Sequence, residues 1–323
     1  MTTLSDIQQL ISKELDETNE LIHQCLSSNV PMAAEIAEYI TGNGGKRVRP
    51  IIVLLSAKAC GYAGNDHVTL AAIIELLHTA TLLHDDVIDE STMRRGKPSA
   101  NKQWGNEVCV LVGDLLYARA FQLIARLNLP IITKIIADAT SEIVEGEVLQ
   151  LSHCHDTSTS EKIYFDIIEK KTGKLFEVAA VSGPVLCDID GETDLKMREF
   201  GRLIGMAFQV LDDALDYTGE YEKIGKNLGD DLREGKPTLP LIHILQTGDE
   251  AQKQLIKSAI KNPETTDLKT VQSAIKACGS IDYTQKKAGT FIKQAQSCLA
   301  ILEDSEAKSA LFALTHFIIQ RNH

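Results

Sequence analysis

Apolar residues recur three and four positions apart along nearly the whole chain, and no stretch alternates apolar with polar residues over the length of a strand. That period turns one face of a helix toward a core and leaves no pattern from which to build a sheet. Turn signals divide the helical text. Ser5-Asp6-Ile7-Gln8 reads as a capping box opening a first helix that runs to about residue 26. Pro31 suits the first turn of a second helix, which stops at Gly42-Asn43-Gly44-Gly45. Pro50 opens an apolar stretch to residue 60, and Asp66 can cap a long helix reaching about residue 89. Further helices are expected over 101–127, 130–150, 163–181 (behind a second capping box, Ser158-Thr159-Ser160-Glu161) and 194–217. Segment 218–237 is rich in Gly, Lys, Asp and Glu and poor in large apolar residues, so it reads as a mobile surface loop. Helical spacing resumes at residue 239, with breaks near Gly248, Pro263 and Gly279. Several helices, such as 108–116, are apolar on more than one face, the pattern of helices buried inside a large bundle. The expected fold is a single all-α bundle over residues 1–323, with 218–237 as a flexible lid.

Charge narrows the function classes. Lys and Arg number 33 against 45 Asp and Glu, a net charge of −12. A surface of that sign does not track nucleic-acid phosphates, nor does it settle on an anionic membrane. An anionic substrate would have to be drawn by a local basic site against the overall field. The seven cysteines are odd in number, scattered and without a CxxC pair, which reads as free thiols in a reducing compartment. The N-terminus shows no basic region followed by an apolar core, and no uninterrupted apolar run has bilayer length, so the expected location is the cytoplasm.

Two acidic boxes carry the chemistry. In His84-Asp85-Asp86-Val87-Ile88-Asp89, Asp85 and Asp89 are four apart and share a helix face, with Asp86 turned about 100° away. Gln209-Val210-Leu211-Asp212-Asp213-Ala214-Leu215-Asp216 repeats the spacing with Asp212 and Asp216. Like charges at this spacing weaken a helix, and the helix dipole disfavours them at its C-terminal end. One such box could be a solvated helix end. Two, each closing an apolar helix, point to a cation, and hard carboxylate oxygens suit Mg²⁺ shared with substrate phosphates.

Basic segments accompany the boxes. Gly44-Gly45-Lys46-Arg47-Val48-Arg49-Pro50 places three cations on an interhelical turn, and Arg94-Arg95-Gly96-Lys97 follows the first box. Lys170, Lys171 and Lys174 lie inside a helix, and Lys226 and Lys236 flank the loop. Guanidinium and ammonium groups both bind phosphate oxygens, so cations beside acidic boxes suggest a diphosphate bridged to protein by metal. Solvated surface charge is the simpler reading for Lys97, Lys170 and Lys174.

In this order, with Val112-Gly113-Asp114, Gly146-Glu147, Lys171-Thr172 and Gly235-Lys236-Pro237-Thr238, these segments resemble the trans-isoprenyl diphosphate synthases over nearly the whole chain. Residues 78–101 and 146–151 look most like the bacterial members that make a forty-carbon octaprenyl chain for respiratory quinones. The resemblance implies that Asp85, Asp89 and Asp212 hold Mg²⁺ on the diphosphate of an allylic substrate, with Asp86, Asp213 and Asp216 in support. It implies that Arg94, Lys171, Lys226 and Lys236 bind that diphosphate, and that Lys46, Arg49, His78 and Arg95 bind isopentenyl diphosphate. Thr172 and Gln209 would stabilise a carbocation, and the departing diphosphate would take the final proton. A homodimer follows from the resemblance alone, and a greasy product leaves room for transient membrane contact.

Product length has a physical handle. Ala80 and Thr81 lie one turn before Asp85, beneath the box, where a growing tail must pass. Both are small, which disfavours a fifteen- or twenty-carbon product, while products of 35 to 45 carbons stay open. Phe121, Leu123 or Ile124 on a neighbouring helix would form the floor. A noncatalytic subunit of a heteromeric synthase is a further reading, although such a subunit should have lost Asp ligands. A helical scaffold with incidental acidic ends is the last. His153-Cys154-His155-Asp156 looks like a metal cluster but has no second cluster at finger-like spacing, so a helix end is the favoured reading.

Overall fold

The computed structural model describes residues 3–42, 45–218 and 228–320. Its helices are α1 (Leu4–Leu10), α2 (Ser12–Leu26), α3 (Pro31–Gly42), α4 (Val48–Ala59), α5 (Asp66–Ile88), α6 (Ala100–Trp104), α7 (Asn106–Leu127), α8 (Pro130–Ser152) and α9 (Glu161–Ile168). A π-helical turn (Glu169–Gly173) leads into α10 (Lys174–Leu186) and α11 (Glu192–Thr218). Then come α12 (Asp230–Arg233), α13 (Leu239–Thr247), α14 (Glu250–Lys261), α15 (Leu268–Ala277), α16 (Ser280–Cys298) and α17 (Glu306–Gln320). The all-α fold is as expected. Against expectation, two-residue strands β1 (Met93–Arg94) and β2 (Lys97–Pro98) pair antiparallel. Arg95 and Gly96 between them both have positive φ, the two-residue turn that matches strand twist.

Helix boundaries depart from expectation where a different residue supplies the cap. Thr3, not Ser5, caps α1: its hydroxyl accepts from Asp6 N, and Asp6 Oδ2 accepts from Thr3 N. The first helix then breaks at Ile11. Ser160 is the cap of α9, accepting from Ile163 N. Gly105, with φ 89°, separates α6 from α7, which the sequence reading ran together. The loop expected over 218–237 is partly folded: α12 lies within it, and Leu232, Gly235 and Lys236 are buried.

Residues 70–77 of α5 are all buried, so this helix is enclosed on every side. Each large aliphatic side chain buried this way contributes roughly 1.5–3 kcal/mol. α5 packs on α7 and α4, α4 on α10, α10 on α11, and α11 on α16. A second, smaller apolar cluster joins Tyr217, Leu232, Leu241, Ile256 and Val271. Among the described residues, α5 and α7 have the length and composition to cross a membrane. The apolar stretch of α5 is 72% buried, as befits a core helix, whereas that of α7 is only 39% buried. All seven cysteines are free.

Candidate active site

α5 delivers the first acidic box at its C-terminal end. Asp85 and Asp89 are half-buried, and Asp89 N donates to Asp85 O to close the last turn. Asp86 is fully buried and faces elsewhere. Its Oδ1 accepts from Arg94 Nε at 2.7 Å and lies 2.6 Å from Arg94 Nη2. Its backbone carbonyl accepts from Asn101 Nδ2 and Ser91 N. Asp86 and Arg94 therefore neutralise each other and fasten the β1–β2 hairpin to α5. Arg94 is also acted on by Asp85 and Asp89, so the pair stands directly behind the first box.

Two lysines reach the box from different elements. The π turn widens the backbone at 169–173, an irregularity that recurs at functional sites. It is flanked by glycines: a Cβ on Gly146 of α8 would fall 2.7 Å from Lys170 Cβ, and one on Gly205 of α11 would fall 2.7 Å from Gly173 Cα. Lys171 leaves this turn and meets Glu147 Oε2 at 2.5 Å, Gln150 Oε1 at 2.8 Å and Asp85 Oδ2 at 4.0 Å. Lys236 lies 2.8 Å from Asp89 Oδ1 and 2.7 Å from Glu234 Oε2. Burial opposes the charge on both lysines. For Lys171, Asp85 and Glu147 outweigh it; for Lys236, Asp89, Glu234 and Asp231 do, and both hold their protons more tightly than a free lysine. Burial pushes Glu147 upward against Lys171, and takes Glu234 to about 7 against Lys236.

The second box closes α11. Asp212 is half-buried. Asp213 is buried: Tyr164 Oη donates to its Oδ2 at 2.6 Å and Gln209 Nε2 to its Oδ1 at 2.8 Å. Thr172 Oγ1 in turn donates to Gln209 Oε1 at 2.9 Å. Burial, with Asp231 and Asp212 nearby, pushes Asp213 up to about 8, although the bonds from Tyr164 and Gln209 pull the other way. Asp216 accepts from the N–H groups of Asp230 and Asp231 and so anchors α12. The boxes meet through charge: Lys236 binds Asp89 and is stabilised by Asp231, which also acts on Asp213. The Lys236 charge in turn pulls Lys171 down. Lys226 lies outside the described residues.

A basic cluster stands behind α5. His78 is held well below the usual histidine range by burial and then by Arg49, Arg95, Arg94 and Arg47. Arg47, at positive φ ahead of α4, lies 2.6 Å from Glu75. Arg95 lies against Gly45, where a Cβ would come within 3.2 Å of its Nη2. Arg49 sits 4.4 Å over the Phe176 ring, and Lys46 5.0 Å over Phe317.

Ala80 is fully buried and Thr81 half-buried, with Thr81 Oγ1 donating to His78 O. Leu123 and Ile124 are buried on α7 with Leu116 and Ala120, but Phe121 is 44% exposed. Phe121 is one residue, about 100°, off that buried stripe, so it faces outward in the single chain. In the His153–Asp156 segment each group has its own partner: His153 Nδ1 is 2.9 Å from Asp156 Oδ2, Cys154 Sγ bonds Gln150 O, and His155 Nδ1 is 2.8 Å from Ile260 O. They do not converge on a shared point.

The donor set fits a hard divalent cation. Asp85, Asp89 and Asp212 are accessible carboxylates, and Glu147 Oε1 is buried beside Lys171 with no hydrogen-bond partner. Among the described residues no three ligating groups cage an ion by themselves, which suits a metal that completes its shell with substrate oxygens and water. The sequence reading missed Asp231, Glu234, Tyr164 and Gln150. Only the acidic pair after Gly229, between Lys226 and Lys236, left a signal that could have been followed.

Comparison with known proteins points one way. Residues 30–278 match the family model described as polyprenyl synthetase. The chain is 43% identical over 320 residues to the octaprenyl diphosphate synthase of Escherichia coli (strain K12), with 99% of each chain covered. It is also 43% identical over 319 residues to an all-trans-nonaprenyl-diphosphate synthase (geranyl-diphosphate specific) of Rhodobacter capsulatus, covering 98% of this chain and 97% of the other. A crystal structure of polyprenyl synthase from Caulobacter crescentus CB15, complexed with calcium and isoprenyl diphosphate, superposes with a TM-score of 0.96 at 37% identity, covering 100% and 99% of the two chains.

Proposed function

This chain belongs to the polyprenyl synthetase family and is a prenyltransferase; we propose that it extends farnesyl diphosphate with isopentenyl diphosphate to an octaprenyl chain of about forty carbons, destined for quinone side chains. The observation that supports the reading most is the first acidic box held against Lys171 and Lys236, with the second box joined to Lys236 through Asp231, and a separate arginine cluster at His78. Two anionic groups can thus be held differently, one against carboxylates and lysines and one against arginines. The octaprenyl length is supported by the relatives' products and by the small residues Ala80 and Thr81.

Asp85, Asp89 and Asp212 would hold Mg²⁺, which when bound supplies positive charge to the leaving diphosphate. Lys171, Lys236 and Arg94 bind the same allylic diphosphate, with Lys226 assigned there by resemblance. Arg49, Arg95, Lys46 and neutral His78 hold isopentenyl diphosphate. The allylic C–O bond breaks, the isopentenyl double bond forms the new C–C bond, and the proton lost in re-forming a double bond goes to the departed diphosphate. Thr172 and Gln209 face the cation with oxygen dipoles. Asp213 and Asp216 act behind Asp212, one through Tyr164 and Gln209 and one by anchoring α12. Residues 1–323 work as one domain, in the cytoplasm; residues 219–227 of the expected lid lie outside the described residues. The outward apolar residues Leu111, Val144, Val148 and Leu151 on α7 and α8 support a homodimer, and product release would involve transient membrane contact. Incubation with isopentenyl and farnesyl diphosphates, with and without Mg²⁺, followed by product mass, tests this. An octaprenyl product only with Mg²⁺ supports the reading, and no elongation overturns it.

A further inference from the structure

The segment that carries Lys236 is held by a residue from another part of the chain. His155, just past α8, has φ 61°, a conformation uncommon outside glycine although histidine is among the residues enriched there. Its N–H donates to Gly235 O at 2.7 Å. Its ring Nδ1 donates to Ile260 O, at the end of α14, at 2.8 Å; a carbonyl can only accept, so Nδ1 carries the hydrogen. The ring also lies on the Cα of Gly235, where a Cβ would come within 2.3 Å of Cε1 and Nδ1. Beyond this clasp, Lys236 N donates to Asp231 O, and Lys236 Nζ lies 2.8 Å from Asp89 Oδ1. The loop bearing His155 is braced in turn, since Asp156 Oδ1 accepts from Ser158 N and Oγ and Asp156 Oδ2 meets His153.

We propose that His155 is a positioning residue: by clasping Gly235 against the end of α14 it aims the Lys236 ammonium at the Asp89 side of the allylic diphosphate site. This deepens the prenyltransferase reading and rests on it. α8 then holds both lysines, Lys171 through Glu147 and Gln150, and Lys236 through His155, three residues beyond the helix. The basic cluster around His78 is built from the start of α4, from α5 and from the β1–β2 hairpin, not from the elements of the clasp, so the two diphosphates should respond differently.

His155→Ala keeps the backbone donor but removes the ring. It should raise KM for farnesyl diphosphate by roughly tenfold and leave KM for isopentenyl diphosphate within about twofold. Acetic anhydride labelling of Lys236, read by peptide mass, should rise severalfold whether or not turnover is followed. His155→Asn should restore most of both, because Asn tolerates this backbone conformation and its amide can donate to Ile260 O. Gly235→Ala should reproduce the defect, and its effect should shrink in the His155→Ala background, where the ring no longer opposes the Cβ. Equal changes in both KM values, unchanged Lys236 labelling, or a folded His155→Asn no better than alanine overturns the proposal. Absence of elongation by the wild-type enzyme would sink the prenyltransferase reading instead, while the labelling ratio would still judge His155.

Discussion

Gly146→Ala makes the sharpest test of how the site is assembled. A glycine-to-alanine change inside an open helix stabilises it by about 1 kcal/mol. Gly289, within α16, has nothing within 4 Å of an added Cβ and should show that gain. At Gly146 the same Cβ would lie 2.7 Å from Lys170 Cβ and 2.8 Å from Lys171 N, where ordinary contact begins at 3.4 Å. α8 and the π turn would have to part by about 0.7 Å, and packing strain of this kind costs roughly 1–3 kcal/mol. Because both variants share the helix gain, their difference isolates the strain. At about 2 °C per kcal/mol for a chain of this size, Gly146→Ala should melt roughly 2–6 °C below Gly289→Ala. The displaced backbone carries Lys171, so KM for the allylic substrate should rise about tenfold, since misplacement by 1 Å can cost a hundredfold. Thermal melting and steady-state kinetics measure the two effects. If Gly146→Ala melts with Gly289→Ala and keeps its allylic KM, the close approach of α8 does not set the position of Lys171.

Ala80→Tyr should shorten the product by several isoprene units and Leu123→Ala should lengthen it, both read by mass; an unchanged product from the tyrosine variant removes the tail from beneath Asp85. Val148→Asp places a charge on the outward apolar face of α8 and should shift the protein to monomer in sedimentation, with a dimer of wild-type affinity as the contrary result. His78 is depressed by burial and four arginines, so below about 6.5 the unfolded chain takes a proton that the folded one refuses, and stability falls as pH drops. His78→Gln should flatten that slope in denaturant titrations between pH 7 and 5; an identical slope would place the acid sensitivity elsewhere.

Helix type and most boundaries were legible because apolar spacing and punctuation agree: Pro31 and Pro130 each open a helix in the structure, and Gly248 and Gly279 each stand at a helix boundary. Legibility failed where a single residue or a backbone irregularity decides. Nothing in Glu169–Gly173 announces a π turn, since its sequence continues a helical pattern and the widening depends on close backbones at Gly146 and Gly205. The hairpin at 93–98 is too short for strand periodicity, and only Arg95-Gly96 encodes its turn. For the site, spacing identified both acidic boxes but could not tell which aspartates face one another. Asp86 is committed to Arg94, and Asp213 to Tyr164, through partners 8 and 49 residues away. Phe121 differs from the buried stripe of α7 by one residue of phase, which apolar spacing alone does not resolve.

The link from Thr172 through Gln209 to Asp213 has a direction. The threonine hydrogen is already given to the amide oxygen, and the amide hydrogen to the carboxylate. What Thr172 can still offer a neighbour is therefore electron density. A positively charged carbon passing beside it would find lone pairs and no acidic hydrogen, and a substitution that reversed the run of donors would change the sign of that encounter without moving an atom of the backbone.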